Sequence, residues 1–167
     1  TAQLVDAKTN KHIWAERYDR EMKGAFALQD EITMKILTAL ELNLSEGEQA
    51  VMMAKGTGNL DAYLKVLQST FYRRRLNVED NVKARRLAEE AISLDPNYAI
   101  SYTTLGRTHV VDVWLRSTKS LQESTGMAID LAEKALSLDE ALADAYDIIG
   151  NSLILRREYE KAIAKLE

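Results

Sequence analysis

The residues of this chain that could do chemistry are few and scattered. His12 and His109 are the only histidines and lie far apart. A histidine acts as a base when an acid orients one ring nitrogen and a substrate meets the other. His109 follows Tyr102 by two helical turns, on the inner side of its helix, and reads as a packed or hydrogen-bonded side chain; His12 reads as exposed. The carboxylate pairs Asp30 with Glu31, Glu89 with Glu90 and Asp139 with Glu140 are neighbours in sequence. Neighbours on a helix do not face each other, so these are surface charges and helix-end dipole partners, not acid/base dyads. The absence of cysteine removes disulfides, thiolate nucleophiles and thiolate zinc ligands together. Gly56 and Gly58 belong to no phosphate-binding loop or dinucleotide fingerprint. No catalytic residue, metal site or cofactor is assigned, and the chain is not expected to be an enzyme.

The partner classes are narrowed by charge and hydropathy. The 167 residues carry a formal net charge of −4, with 46% apolar and 29% charged residues. That composition is globular, and a nucleic-acid binder would show a basic excess. The densest basic runs, Arg73-Arg74-Arg75 and Arg85-Arg86, read as solvated helix ends and faces. No apolar run reaches the ~18 residues of a membrane span, and the N-terminus has no signal-peptide pattern. Nucleic acid and membrane are therefore not expected as partners of this segment. A cytoplasmic location fits the lack of cysteine. The chain begins at Thr1 without methionine and stops inside a helical pattern at Glu167, the expected look of a piece of a longer protein.

The elements change character along the chain. Over residues 1–20, Ala2 and Leu4 alternate with Gln3 and Val5, Ala7 to Lys11 reads as a turn, and His12 to Tyr18 has strand spacing: a β-hairpin. From Phe26, the stripe Leu28, Ile32, Ile36, Leu40 and Leu44 predicts an amphipathic helix of about five turns. Ser45 and Glu48 then form a capping box for a short helix over 46–55. One proline and seven glycines in the whole chain favour helix thereafter.

From residue 59 the chain repeats itself. Ser93-Leu94-Asp95 to Leu105-Gly106 overlies Ser137-Leu138-Asp139 to Ile149-Gly150 at a constant offset of 44 residues, and Ala88 and Ala91 overlie Ala132 and Ala135. Each unit is a helix, a tight turn and a second helix. A hairpin of this kind cannot bury its apolar face alone, so units stack into one core. The pattern resembles the tetratricopeptide repeat. Tyr102, Leu105 and Gly106 match the first-helix positions and Ala128, Ala132 and Ala135 the second-helix positions. Glu140 stands where proline is usual. Tyr146, Ile149, Gly150 and Ala162 continue the signature in the last unit. The offset exceeds the usual 34 by ten residues. The excess falls between Trp114 and Thr125, where Ser120 and Glu123 form another capping box.

The first third has its own resemblance. Ala2 to Ala7, Trp14 to Arg20 and Phe26 to Ile32 resemble the end of the TolB-like α/β domain that precedes tetratricopeptide repeats in bacterial signalling proteins, some with an adenylate cyclase domain and others with a winged-helix DNA-binding domain upstream. Together the resemblances imply a mainly α chain. Residues 1–56 would be the C-terminal remnant of a TolB-like domain, followed by repeats over 57–98, 99–140 and a truncated 141–167. They imply a protein-interaction module, the regulatory or scaffolding part of a larger bacterial signalling protein. By repeat register Thr103, Arg107, Val110 and Val111 face a peptide-binding groove from the middle unit, and Asp147, Asn151, Ile154 and Leu155 from the last. Asp147 stands where a lysine would be expected in repeats that grip C-terminal carboxylates, which puts chaperone-tail binding in doubt. The partner is a protein or peptide of unknown identity. The rival reading is a self-association or spacer element that drives homodimers through unpaired strand edges and the open last hairpin.

Overall fold

A computed structural model describes residues 2–5, 10, 12–16, 56–118 and 120–166. The chain divides into two compact units, Thr1–Val51 and Met52–Glu167. In the first, strand β1 (Ala2–Val5) pairs antiparallel with β2 (His12–Glu16), Ala2 opposite Glu16 and Leu4 opposite Trp14, with an irregularity between Leu4 and Val5. Most of the turn expected over 7–11 and the helices expected over 26–44 and 46–55 lie outside the described residues.

The second unit is helical: α1 (Leu60–Arg73), α2 (Val78–Leu94), α3 (Ala99–Trp114), α4 (Leu121–Leu138), α5 (Ala143–Leu155) and α6 (Tyr159–Leu166). Their starts follow from local chemistry. The Asn59 side chain accepts from the Ala62 N–H, Asn77 from Asp80 and Ser120 from Glu123, each satisfying a backbone donor that has no partner within its helix. The Ser120 box is only half made, because the Ser120 N–H donates to Thr118 Oγ1 (3.1 Å). Helices α3 and α5 have no side-chain cap. Each follows an aspartate turn instead. Asp95 Oδ1 accepts from the Asn97 N–H (3.0 Å) and Asp139 Oδ1 from the Ala141 N–H (3.1 Å). Tyr102 then donates its hydroxyl back to the Pro96 carbonyl (3.0 Å), and Tyr146 donates to Glu140 (3.2 Å). The 44-residue offset thus recurs bond for bond.

Helices pair as α1 with α2, α3 with α4 and α5 with α6. Successive pairs join through α2 on α3 and α4 on α5, and the leading helices α1, α3 and α5 touch in turn. Small residues make the close approaches. Ala84, Ala88 and Ala91 on α2 and Ala128, Ala132 and Ala135 on α4 are fully buried. A β-carbon on Gly106 would stand 3.3 Å from the Ala128 carbonyl oxygen, so only glycine fits this crossing without displacing backbone. Around these contacts Ile148, Ile149, Val110 and Leu153 form one core and Ala62, Val66 and Tyr98 another. The ten-residue excess of the middle unit is spread out. Relative to the last unit, α3 runs three residues further beyond its glycine, the connection is three longer, and α4 starts four earlier.

Two helix ends share one geometry. Arg116 (φ 54°) and Arg157 (φ 63°) are left-handed. The Arg116 N–H bonds Val113 O and the Ser117 N–H bonds Asp112 O; Arg157 and Glu158 do the same with Ile154 and Leu153. This is the double closure that usually carries glycine at the left-handed position.

Candidate functional site

The leading helices enclose a small cleft. Arg73 comes from the last turn of α1, Arg107, Val110, Val111 and Trp114 from α3, and Asp147, Ile148 and Asn151 from α5. Its cavity volume is about 20 Å³, room for about one water molecule and far below the ~300 Å³ or more of pockets that enclose drug-sized ligands. The floor is apolar: Val111 and Ile148 are each 1% exposed, while Trp114 at the rim is 55% exposed. The walls are charged. Arg107 forms ion pairs with Asp144 and Asp147, both at 3.0 Å, which tie α3 to α5. Asn151 donates to the Asp147 carboxylate (2.9 Å) and orients it.

Arg73 differs from Arg107. Its Nε is buried and has no hydrogen-bond partner. Burial, then the positive charges of Arg107 and Arg74, hold its guanidinium below the usual arginine value, and Asp144 offsets them only in part. A solvated helix end was expected here, and the structure corrects that. Arg73 turns into the cleft because α1 ends against α3. Arg75 lies over the Phe71 ring, 4.6 Å from its centroid. Arg85, also expected on a solvated face, pairs with Asp112 across α2 and α3.

Of the eight groove candidates, the structure brings Arg107, Val110, Val111, Asp147 and Asn151 to this cleft. Val110 and Val111 are buried in its floor. Thr103 is 1% exposed and donates its hydroxyl to the Ile100 carbonyl (3.0 Å). Its register points outward, but α3 is surrounded by α1, α2, α4 and α5, so that face is covered. Ile154 is exposed away from the cleft, and Leu155 packs against the core. The repeat-signature residues Leu105, Gly106, Ala128, Ala132, Ala135, Ile149, Gly150 and Ala162 are buried, and Tyr102 and Tyr146 half-buried.

A polar cluster lies behind the cleft. Asn81 donates to the Thr108 carbonyl (2.9 Å) and to Asp112 Oδ1 (2.7 Å), and Arg85 Nε donates to Thr108 Oγ1 (3.3 Å). Beside it, burial and then Arg85 lower the pKa of His109, against the opposing pull of Asp112. These bonds tie α2 to α3, while the buried Asn81 Oδ1 has no hydrogen-bond partner among the described residues. His12 is exposed on β2. Among the described residues no group of His, Cys, Asp or Glu is placed to hold a metal ion. No described helix is long and apolar enough to cross a membrane.

No family model matches the chain. It is similar to the protein named "Putative adenylate cyclase 3" of Rhizobium meliloti (strain 1021), 32% identical over 131 residues. That alignment covers 76% of this chain and 22% of the relative. The chain therefore spans about a fifth of the relative's length.

Sequence reasoning missed Arg73 and Trp114 as cleft residues. Arg73 sits in the first unit, to which no signature positions were assigned, so no register carried it inward. Trp114 falls in the three-residue extension of α3, which has no counterpart on α5.

Proposed function

We propose that this chain is a protein-interaction module, the regulatory or scaffolding segment of a signalling protein related to adenylate cyclases. In this reading α1 to α6 form a short tetratricopeptide-type array, and residues 1–56 are the end of a TolB-like domain. The observation that carries it is the stack of three helical pairs whose leading helices α1, α3 and α5 line one mixed polar and apolar cleft. The likeness to a named adenylate cyclase supports the signalling context. In this reading any cyclase chemistry belongs to residues outside this chain.

Two experiments test the reading. A photo-crosslinking residue at Asn151 in the cleft, with one at Glu89 on α2 as control, is expected to capture a discrete partner only from the cleft, and Arg107→Glu is expected to abolish that adduct. The same adducts from both positions would sink the proposal. Incubation of the chain with ATP and Mg²⁺ or Mn²⁺ is expected to yield no cyclic AMP; sustained turnover would overturn the non-catalytic assignment.

A second reading, self-association, is favoured by the apolar residues left open beside the last pair, Ile154, Tyr159 and Ile163, which are 48%, 56% and 59% exposed. Sedimentation across a dilution series separates the two: a monomer at all concentrations removes it.

A further inference from the structure

We infer that the end of the stack where each helical pair makes its turn is a ridge that binds an amphipathic partner helix, one whose carboxylates recur every seven residues. The inference rests on the interaction-module reading above and places the contact outside the cleft. Three observations carry it.

The first is placement. Helices joined by a short connection run antiparallel, so the ends of α1, α3 and α5 and the starts of α2, α4 and α6 gather at one end of the stack. Bonds across the pairs agree. Arg85 in the first half of α2 pairs with Asp112 near the end of α3, and Arg156 just after α5 donates to the Gln122 carbonyl at the start of α4. Each of the three turns at this end offers the same two things. Arg74, Arg116 and Arg157 are exposed, and none of them forms an ion pair or a side-chain hydrogen bond among the described residues. Beside them Leu76, Trp114 and Tyr159 are each more than half exposed. The turns at the opposite end, 95–98 and 139–142, hold Asp95, Asp139 and Glu140 and no cation.

The second is conformation. Leu76, Arg116 and Arg157 are left-handed, at φ 50°, 54° and 63°. Glycine takes this conformation without the steric cost that a side chain bears. All three turns nonetheless keep a long side chain there, and strain retained in this way points to a use other than stability.

The third is the match of spacing and charge. Packed helices lie about 8–10 Å apart, so one turn follows the next at about that interval. Seven residues of an α-helix advance about 10.5 Å and return to nearly the same face. Carboxylates at that spacing meet the arginines in turn, and apolar neighbours cover Leu76, Trp114 and Tyr159. Glu123 and Glu160 are exposed among these arginines. A membrane or nucleic-acid surface, anionic throughout, would be repelled by them, whereas a helix with spaced carboxylates passes them by.

The test uses the full chain and a capped helical peptide of three identical heptads, each with a glutamate and, three residues on, a leucine in an alanine and glutamine background. One control replaces glutamate by glutamine. A second keeps the composition but sets the glutamates five residues apart. The readouts are the Arg116 and Arg157 Nε–Hε and Trp114 indole resonances. The heptad peptide is expected to shift all three and to saturate, with weaker binding as salt is raised. Both controls are expected to bind about tenfold or more weakly, a difference of about 1.4 kcal/mol. Arg116→Gly combined with Arg157→Gly is expected to lose the preference for the heptad peptide while melting at or above the parent temperature, because glycine relieves both turns. A retained preference would overturn the proposal, and a lower melting temperature would show that these arginines serve the fold instead. Equal binding of the controls would overturn it too, as would pelleting with phosphatidylserine vesicles in place of peptide binding. Shifts that track the chain's own concentration, with no peptide added, would assign the ridge to self-association. If no peptide shifts these resonances while crosslinking from Asn151 still captures a partner, the ridge fails and the interaction module stands; if both fail, the module fails with it.

Discussion

Tyr98 and His109 show how burial turns a titration into a stability effect. Tyr98 is 1% exposed, and burial, with Tyr63 and Asp95 nearby, pushes its phenol up to about 12. The unfolded chain ionises near 10, so the native state alone keeps the proton between those values. Stability from this group is intact below pH 10 and is lost as pH rises toward 12, on the order of 3 kcal/mol at most. Tyr98→Phe is expected to be nearly neutral at pH 7 and to flatten that alkaline loss in urea unfolding midpoints; an unchanged alkaline slope would refute it. His109 works in the opposite direction. Its pKa is lowered, so the native state prefers neutral imidazole. Stability is present above the unfolded value near 6.5 and falls as pH drops through the lower native one. The difference in urea midpoint between the parent and His109→Gln is expected to change between pH 7 and pH 5 in that sense. A constant difference across this range would refute it. Neither group needs a catalytic role to explain its surroundings.

At the level of elements, the helix ends hold the clearest reserve of stability. Arg157 occupies a left-handed conformation that costs a non-glycine residue about 1 kcal/mol or more, is exposed, and makes no hydrogen bond through its side chain among the described residues. Arg157→Gly is expected to stabilise by about 1 kcal/mol, net of the extra entropy glycine gives the unfolded chain, and to raise the melting midpoint by roughly 2–4 °C. A lower midpoint would mean the arginine side chain makes a contact worth more than the strain. In the other direction, Asn77→Ala removes the cap that accepts the Asp80 N–H (2.9 Å) and the amide that donates to the Asp80 carboxylate (2.7 Å). It is expected to cost about 1 kcal/mol. That amide, followed by Arg75 and Lys83, also outweighs burial and holds Asp80 below the usual aspartate value. The part of the cost due to ionised Asp80 is therefore present above pH 4 and lost as pH falls through the lower native value. A cost that stays constant from pH 7 to pH 3 would contradict this. These termini also mark the limit of what the sequence reveals. Ser120 and the Asp95 and Asp139 turns have residue signatures and are legible from them. A left-handed arginine looks like any surface charge, so the two helix stops at Arg116 and Arg157 are invisible without coordinates. The same blindness hid Arg73. Thr103 shows the converse: helical register gives a direction, and only the packing of neighbouring helices decides whether that direction is open.

Across the whole helical unit, stability should grade along the stack. In a linear array each pair is held only by its neighbours, so local opening is cheapest where fewest interfaces are made. Helix α3 touches α1, α2, α4 and α5, whereas α6 packs on α5 and buries Ala162 among its described side chains. The junction beside it is fastened by Arg156, whose Nε donates to Thr125 Oγ1 (2.6 Å) and whose Nη2 donates to the Gln122 carbonyl (2.7 Å), both on α4. That side chain also comes within 3.1 Å of the position a β-carbon on Gly126 would take, so the small residue makes room for the fastening. Amide hydrogen exchange is therefore expected to be slowest in α3 and α4 and fastest in α6. Arg156→Ala leaves the Thr125 hydroxyl its helical carbonyl partners but removes the tie between the end of α5 and α4. It is expected to speed exchange in α5 and α6 at least tenfold, or about 1.4 kcal/mol of local opening, while α1 and α2 keep the parent rates. Uniform acceleration over all six helices would show a single cooperative unit in place of a graded stack. It would also mean that a partner bound at the cleft cannot stiffen α5 without stiffening the entire array.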